Sequence, residues 1–213
     1  MENVKSVRKE QRMPLVIDDA DFNRKLRMPS KNTEHTEAFL ANAVKPYVLP
    51  EYVIPNGYRL VKSLKKDQFR MVTNDETPET VYLVELNFRN DIIIGKSTCT
   101  QIKVWRTVSA QHQHAVSGFP RVFFKHLLDE YSIVVTDEQQ TSDGKRFWET
   151  MISWALEVGF SVYASDGTEM DRPLTAIGNL DEFYGTWDEF CWGYDKDVHT
   201  HRLVVISKSQ LEV

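Results

Sequence analysis

The stretch that decides the fold is Ile102-Lys103-Val104-Trp105-Arg106-Thr107-Val108, then Gly118-Phe119-Pro120 opening Arg121 to Leu128, then Ser132-Ile133-Val134-Val135-Thr136. The first run alternates apolar and polar residues with period two, as a strand does. The middle run is apolar at helical spacing, and Pro120 suits a first helical turn. The third is short, β-branched and continuous, the mark of a buried strand. A strand, a crossover helix and a second strand predict two parallel neighbours in one sheet.

Upstream, short runs rich in β-branched and aromatic residues follow one another: Tyr58 to Val61, Phe69 to Val72, Val81 to Phe88, Ile92 to Ile94 and Ile102 to Trp105. Lys65-Lys66-Asp67, Asn74 to Pro78 and Arg89-Asn90-Asp91 read as the turns of an antiparallel meander. Further upstream, Asp18-Asp19-Ala20-Asp21 precedes a short helix at Phe22 to Met28, and Thr36 to Val44 reads as another, ended by Pro46. Downstream, Gly144 to Val158 is a helix closed by Gly159, with Ser142 or Asp143 as its cap. Phe160 to Tyr163 and Arg202 to Ile206 are strands. Helices, meander, helix, strand, helix, strand, strand is the order of an α+β fold: a mixed, mostly antiparallel, twisted sheet flanked by helices. Residues 1–50 read as an N-terminal extension with short helices, and 51–213 as the main domain.

Composition sets the class. The 213 residues are 41% hydrophobic and 27% charged, enough to bury a full core, and collagen-like or wholly disordered chains differ. No apolar run reaches the about 18 residues that a membrane helix needs. The charged start, Met1 to Arg12, does not resemble a secretory leader. Cys99 and Cys191 form no CxxC unit, so two packed, reduced thiols and a cytoplasmic setting are expected. Residues 166–197 hold nine acids against Arg172 and Lys196, net −7 in a chain of net −5. Such a segment repels phosphate backbones and disfavours nucleic acid as a partner.

Four constellations could carry chemistry. The loop Thr107 to Gly118 leads from a strand end to a helix N-terminus, where free N–H groups suit an anion. Asp137-Glu138-Gln139-Gln140-Thr141 follows a strand end, where either acid could serve as a general base if burial raised its pKa. Two His-x-His pairs, His112/His114 and His199/His201, could each offer two imidazoles to a metal. Finally, Phe183, Tyr184, Trp187, Phe190, Trp192 and Tyr194 are interleaved with acids in residues 166–197, as a lid or a contact surface would be. GxxxxGK[ST], GxGxxG and GxSxG are all absent, so the P-loop, the Rossmann fingerprint and the serine-hydrolase elbow lack support.

The strand Lys103 to Val108, the Gly118-Phe119-Pro120 helix start, and Ser132 to Thr141 followed by Gly144 and Phe147-Trp148 together resemble the GNAT superfamily of N-acetyltransferases. The likeness is greatest to divergent bacteriophage-type members, and covers residues 58–165 with 199–207 as a final strand. It implies acetyl-CoA as cofactor and an amine as acceptor. It also implies a pyrophosphate loop patterned Gln/Arg-x-x-Gly-x-Gly/Ala, in which Gln113 takes the first position, Gly118 the last, and Val116 stands at the middle glycine. On that basis Val108 and Ala110 supply backbone contacts to the cofactor, and Gln113, Ser117 and Gly118 form the phosphate loop. Glu138 is the candidate catalytic base. The other reading is a catalytically inactive GNAT-like phage protein, host-directed or virion-associated. Such a protein would work by protein–protein interaction through residues 166–197.

Overall fold

The computed structural model describes residues 15–17, 21–137, 139–194, 198 and 201–212. The chain enters as β1 (Leu15–Ile17), α1 (Asp21–Arg27), α2 (Pro29–Leu40) and β2 (Val44–Pro46). The meander follows as β3 (Tyr58–Ser63), β4 (Gln68–Thr73), β5 (Thr80–Ile93) and β6 (Lys96–Arg106). A one-turn helix α3 (Gln113–Val116) leads to α4 (Phe119–Tyr131), β7 (Ile133–Val135), β8 (Gln139–Thr141), α5 (Ser142–Glu157) and β9 (Ser161–Asp166). Last come β10 (Leu174–Ile177), the short helices α6 (Leu180–Glu182) and α7 (Asp188–Cys191), and β11 (Arg202–Ser207).

Nine of these strands form one open sheet in the order β10-β9-β11-β7-β6-β5-β4-β3-β2. Every neighbouring pair is antiparallel except β6–β7. This is the α+β architecture that the sequence predicts, a mostly antiparallel sheet with helices on its faces. The parallel contact is short: Cys99 pairs with Val134 and Thr100 with Val135. Beyond Thr100, β6 continues to Arg106. The chain leaving β7 turns instead to β11, where Thr136 N–H donates to Val204 O at 3.0 Å and its Oγ1 accepts from Val204 N–H at 3.0 Å. Pairing between the two parallel strands thus ends at Thr100 and Val135, while β6 runs on to Arg106.

Local chemistry explains the helices. Gly118 holds φ +74°, a left-handed conformation open to glycine, and so turns the loop into α4. Phe119, Phe123, Phe124, Leu127 and Leu128 form one buried stripe, and Ser132 N–H closes the helix on Leu128 O. Trp148, Met151, Ile152 and Ala155 of α5 face the same core, and Phe124 meets Trp148 edge-to-face with centroids 5.3 Å apart.

Three boundaries differ from the sequence reading. Arg89-Asn90-Asp91 is not a turn but the irregular end of β5. The guanidinium of Arg89 grips Asp91 two residues on, and Gly95, at φ +71°, makes the turn instead. The second helix begins earlier, at Pro29 in its first turn, while Pro46 lies in the edge strand β2, where a missing N–H costs little. The cap of α5 is Thr141, whose Oγ1 accepts from Gly144 N–H at 3.1 Å. Pairing of β8 with β1 holds Thr141 extended, the geometry that a cap requires.

The opposite sheet face is covered by α1 and α2. Leu26 and Phe22 pack on Leu83 and Trp105, and Phe39 packs on Val61 and Val72. A buried polar clasp fixes this layer. Asn32 Nδ2 donates to Leu26 O and Thr80 O, while its Oδ1 accepts from Thr80 N–H and Thr36 Oγ1. Because an orphaned buried amide costs about 1–3 kcal/mol, Asn32→Ala is expected to lower stability by about 2 kcal/mol. Urea denaturation would show a lower midpoint at unchanged slope, and a shift near zero would mean that α2 is not anchored there.

Candidate functional site

Where β6 ends, Thr107 N–H makes a last bond to Val81 O and the chain turns through Ala110–His112 into α3. The loop is built from its own polar groups. Ser109 N–H donates to Thr107 Oγ1, and the Gln113 amide donates to Thr107 O (3.0 Å) and Ser109 O (3.1 Å). His112 is buried, sharing a hydrogen bond with Tyr58 Oη at 2.8 Å and facing Glu79 at 3.5 Å. Ala115 and Val116 point into the core and are fully buried.

Val108, Ala110, Ser117 and Gly118 lie together on the solvent side of this loop. Val116 stands where the GNAT pattern has a glycine, but its side chain leaves the outer surface clear. Nothing lies within 4 Å of the position a Cβ would take on Gly118. Arg121 and Val122 both donate to Gly118 O, so the N–H groups of Gly118 and Phe119 stand outside the helical ladder. Gln113, by contrast, is engaged inside the loop. Asp137 is half-buried at the end of β7, and Glu138 lies outside the described residues.

The strands beneath contribute residues that the sequence reading passed over, since it began the fourth strand at Ile102. Gln101, 5% exposed, sits at a register shift of the β5–β6 ladder, one position past the last β6–β7 pair. Neither its amide oxygen nor its nitrogen has a hydrogen-bond partner among the described residues. Tyr82, under Phe119 at the start of α4, also buries an unbonded hydroxyl, and burial pushes its pKa up. Beside the first turn of α4 is an open depression of about 510 Å³ lined by Arg121, Arg146, Thr150, Ser153, Trp154 and Tyr184. Glu149 and Glu157 complete it.

The aromatic segment is organised differently from a bare contact surface. Phe183, Cys191 and Trp192 are buried in the main core, and Trp187 and Phe190 pack against it. Only Tyr184 and Tyr194 of the six aromatics are open to solvent. The acids are paired around them. Lys145 reaches Asp188 at 2.9 Å, and Glu182 takes the Trp187 indole N–H and Gly178 N–H, which hold its carboxyl below the usual range. The π-helical segment Phe183–Trp187 buries Phe183, and Trp192, beyond it, is 5% exposed and belongs to the core.

Both cysteines are free and buried, and burial pushes the Cys99 thiol up to about 12, far from a nucleophile at neutral pH. Neither His-x-His pair forms a metal centre among the described residues: His112 is committed to Tyr58, and His199 lies outside them. Among the described residues no helix is long and apolar enough to cross a membrane.

Compared with protein-family models and with curated proteins, the chain matches none. Its functional reading rests on the geometry of the loop and the strand gap. The packing generates a clear contrast between two tryptophans. Trp192→Ala is expected to cost about 3–5 kcal/mol, as for other large-to-small core changes, while Trp187→Ala costs about 1–2 kcal/mol. Thermal melting of both variants checks this, and equal small losses would place Trp192 at the surface.

Proposed function

We propose that the chain is an N-acyltransferase that moves an acetyl group from acetyl-CoA to an amine. The observation that carries this reading is the parting of β6 and β7 after two paired positions, with the N-terminus of α4 at the same end of the sheet. A gap between parallel strands offers unpaired backbone groups to an extended ligand, and a helix N-terminus beside it suits a pyrophosphate. The resemblance to GNAT enzymes points to the same place.

The residues present fit such a ligand through backbone rather than side chains. Gly118 and Phe119 N–H groups with the Ser117 hydroxyl would hold the pyrophosphate. Val108 and Ala110, at the end of β6, would meet the pantetheine arm. Acetyl-CoA supplies an activated thioester when bound. The chain then has to place an amine beside it, give donors to the carbonyl oxygen and accept one proton from the amine. Asp137, just past the end of β7, and Glu138, next in the sequence, are the candidate carboxylates for that proton. Acids in 166–197, with Glu149 and Glu157 in the neighbouring depression, would draw a cationic amine toward the site.

A second reading, a GNAT-shaped interaction protein, draws support from two features. The Gln113 amide is spent within the loop, and Pro120 removes one N–H from the first turn of α4. Titration calorimetry with acetyl-CoA separates the two. A substitution at Gly118 would strain its positive φ whatever the ligand, so Ser117→Asp is the informative variant because it places a negative charge on an exposed position. Micromolar binding that weakens at least about tenfold in Ser117→Asp, roughly 1.4 kcal/mol, is expected. No heat from the folded protein at millimolar acetyl-CoA would favour the interaction protein.

A further inference from the structure

On the sheet face opposite α4 and α5, a pocket of about 150 Å³ opens between α1, α2 and strands β4 to β6. Its charged lining is one-sided. Lys25, Lys66, Arg70 and Lys103 face a single acid, Glu85, in a chain whose net charge is −5. Lys103 pairs with that acid at 3.1 Å, and the same carboxylate also acts on Arg70, so one acid is shared among the cations of the pocket.

Arg70 makes this more than a solvated basic patch. It is only 8% exposed, and a buried guanidinium is costly unless an anion accompanies it. Its hydrogen-bond partners are all neutral, and Glu85 acts on it only from beyond ion-pair distance: Nε donates to Gln68 Oε1 at 3.1 Å, and one terminal nitrogen donates to His35 O and Thr80 Oγ1, both at 3.3 Å. The Phe39 ring lies 4.2 Å from the guanidinium carbon. Its second terminal nitrogen has no acceptor among the described residues, and no carboxylate there lies within ion-pair distance. Burial lowers its pKa to about 10, so the group stays charged at neutral pH.

The fold thus fixes the guanidinium in place by neutral contacts and leaves its charge directed at a concave, lysine-rimmed space. Leu26, Leu83 and Phe22 form an apolar wall beside it. We propose that this pocket binds a small phosphate-bearing anion, with Arg70 at its base and Lys25 and Lys66 at its rim. A planar guanidinium flanked by ammonium groups matches a phosphate dianion. The space admits a phosphate group.

The test is calorimetry on the full chain at constant ionic strength, with chloride as balancing salt, using inorganic phosphate and phenyl phosphate as probes. Saturable binding of at least one probe is expected. It should weaken at least tenfold in Lys25→Glu with Lys66→Glu, two exposed positions whose change leaves the melting temperature near that of the wild type. Arg70→Lys, which retains charge but loses the planar fork, should weaken it as well. Tighter phenyl phosphate assigns the site to an esterified ligand that uses the apolar wall, and tighter inorganic phosphate assigns it to the free ion. Absence of saturable binding, or equal affinity in the wild type and the double lysine variant, overturns the proposal. Acetyl-CoA titration of the double lysine variant keeps the two sites apart, since the strand gap lies on the other side of the sheet.

Discussion

Two parallel pairs, Cys99–Val134 and Thr100–Val135, join β2 through β6 to β7, β11, β9 and β10. Each half is an antiparallel ladder, of hairpins in β3 to β6 and of long-range pairs to β11 in the other, and their union rests on these pairs and on the helix that links them. Helix α4 makes the union possible: its stripe from Phe119 to Leu128 buries against Tyr82, Phe69 and Val134 from both halves. The β6–β7 pairing stops where β7 ends at Val135, while Thr136 keeps its bonds to Val204 of β11. β6 thus runs on past its last pair with β7, from Gln101 to Arg106.

The loop between β6 and α4 spends Gln113 and His112 on its own order and leaves Ser109, Gln111, His114, Ser117 and Gly118 exposed. Val116 can stand where a family pattern has glycine because its side chain fills the core beneath the loop. Thr100 Oγ1 and both side-chain polar atoms of Gln101, beside the register shift of β6, lack hydrogen-bond partners among the described residues, as does the Tyr82 hydroxyl farther along the sheet. Polar groups held ready without partners are a common feature of functional positions.

Much of this was legible from the sequence, where periodicity was strong. The period-two run at Lys103 to Val108 and the helical stripe after Gly118 were enough to place the parallel pair and the crossover helix. Arg89-Asn90-Asp91 misled because polar residues resemble a turn, whereas an Arg–Asp grip at i and i+2 satisfies them inside a strand. The aromatic segment misled for a related reason. Composition alone does not say which way a ring points, and here Phe183 and Trp192 are buried in the core while Trp187 and Phe190 pack against it. The Arg70 pocket was invisible, because Lys25, Lys66, Arg70 and Lys103 come from four separate elements or turns and only the sheet brings them together.

The most direct measurement is amide hydrogen exchange followed by mass spectrometry, with and without saturating acetyl-CoA. If the ligand lies in the gap between β6 and β7, exchange should slow in peptides covering residues 101–119. It should stay unchanged in α1, α2 and the aromatic segment. Unchanged exchange across 101–119, or protection that appears in residues 166–194 instead, would contradict a cofactor site at the strand gap.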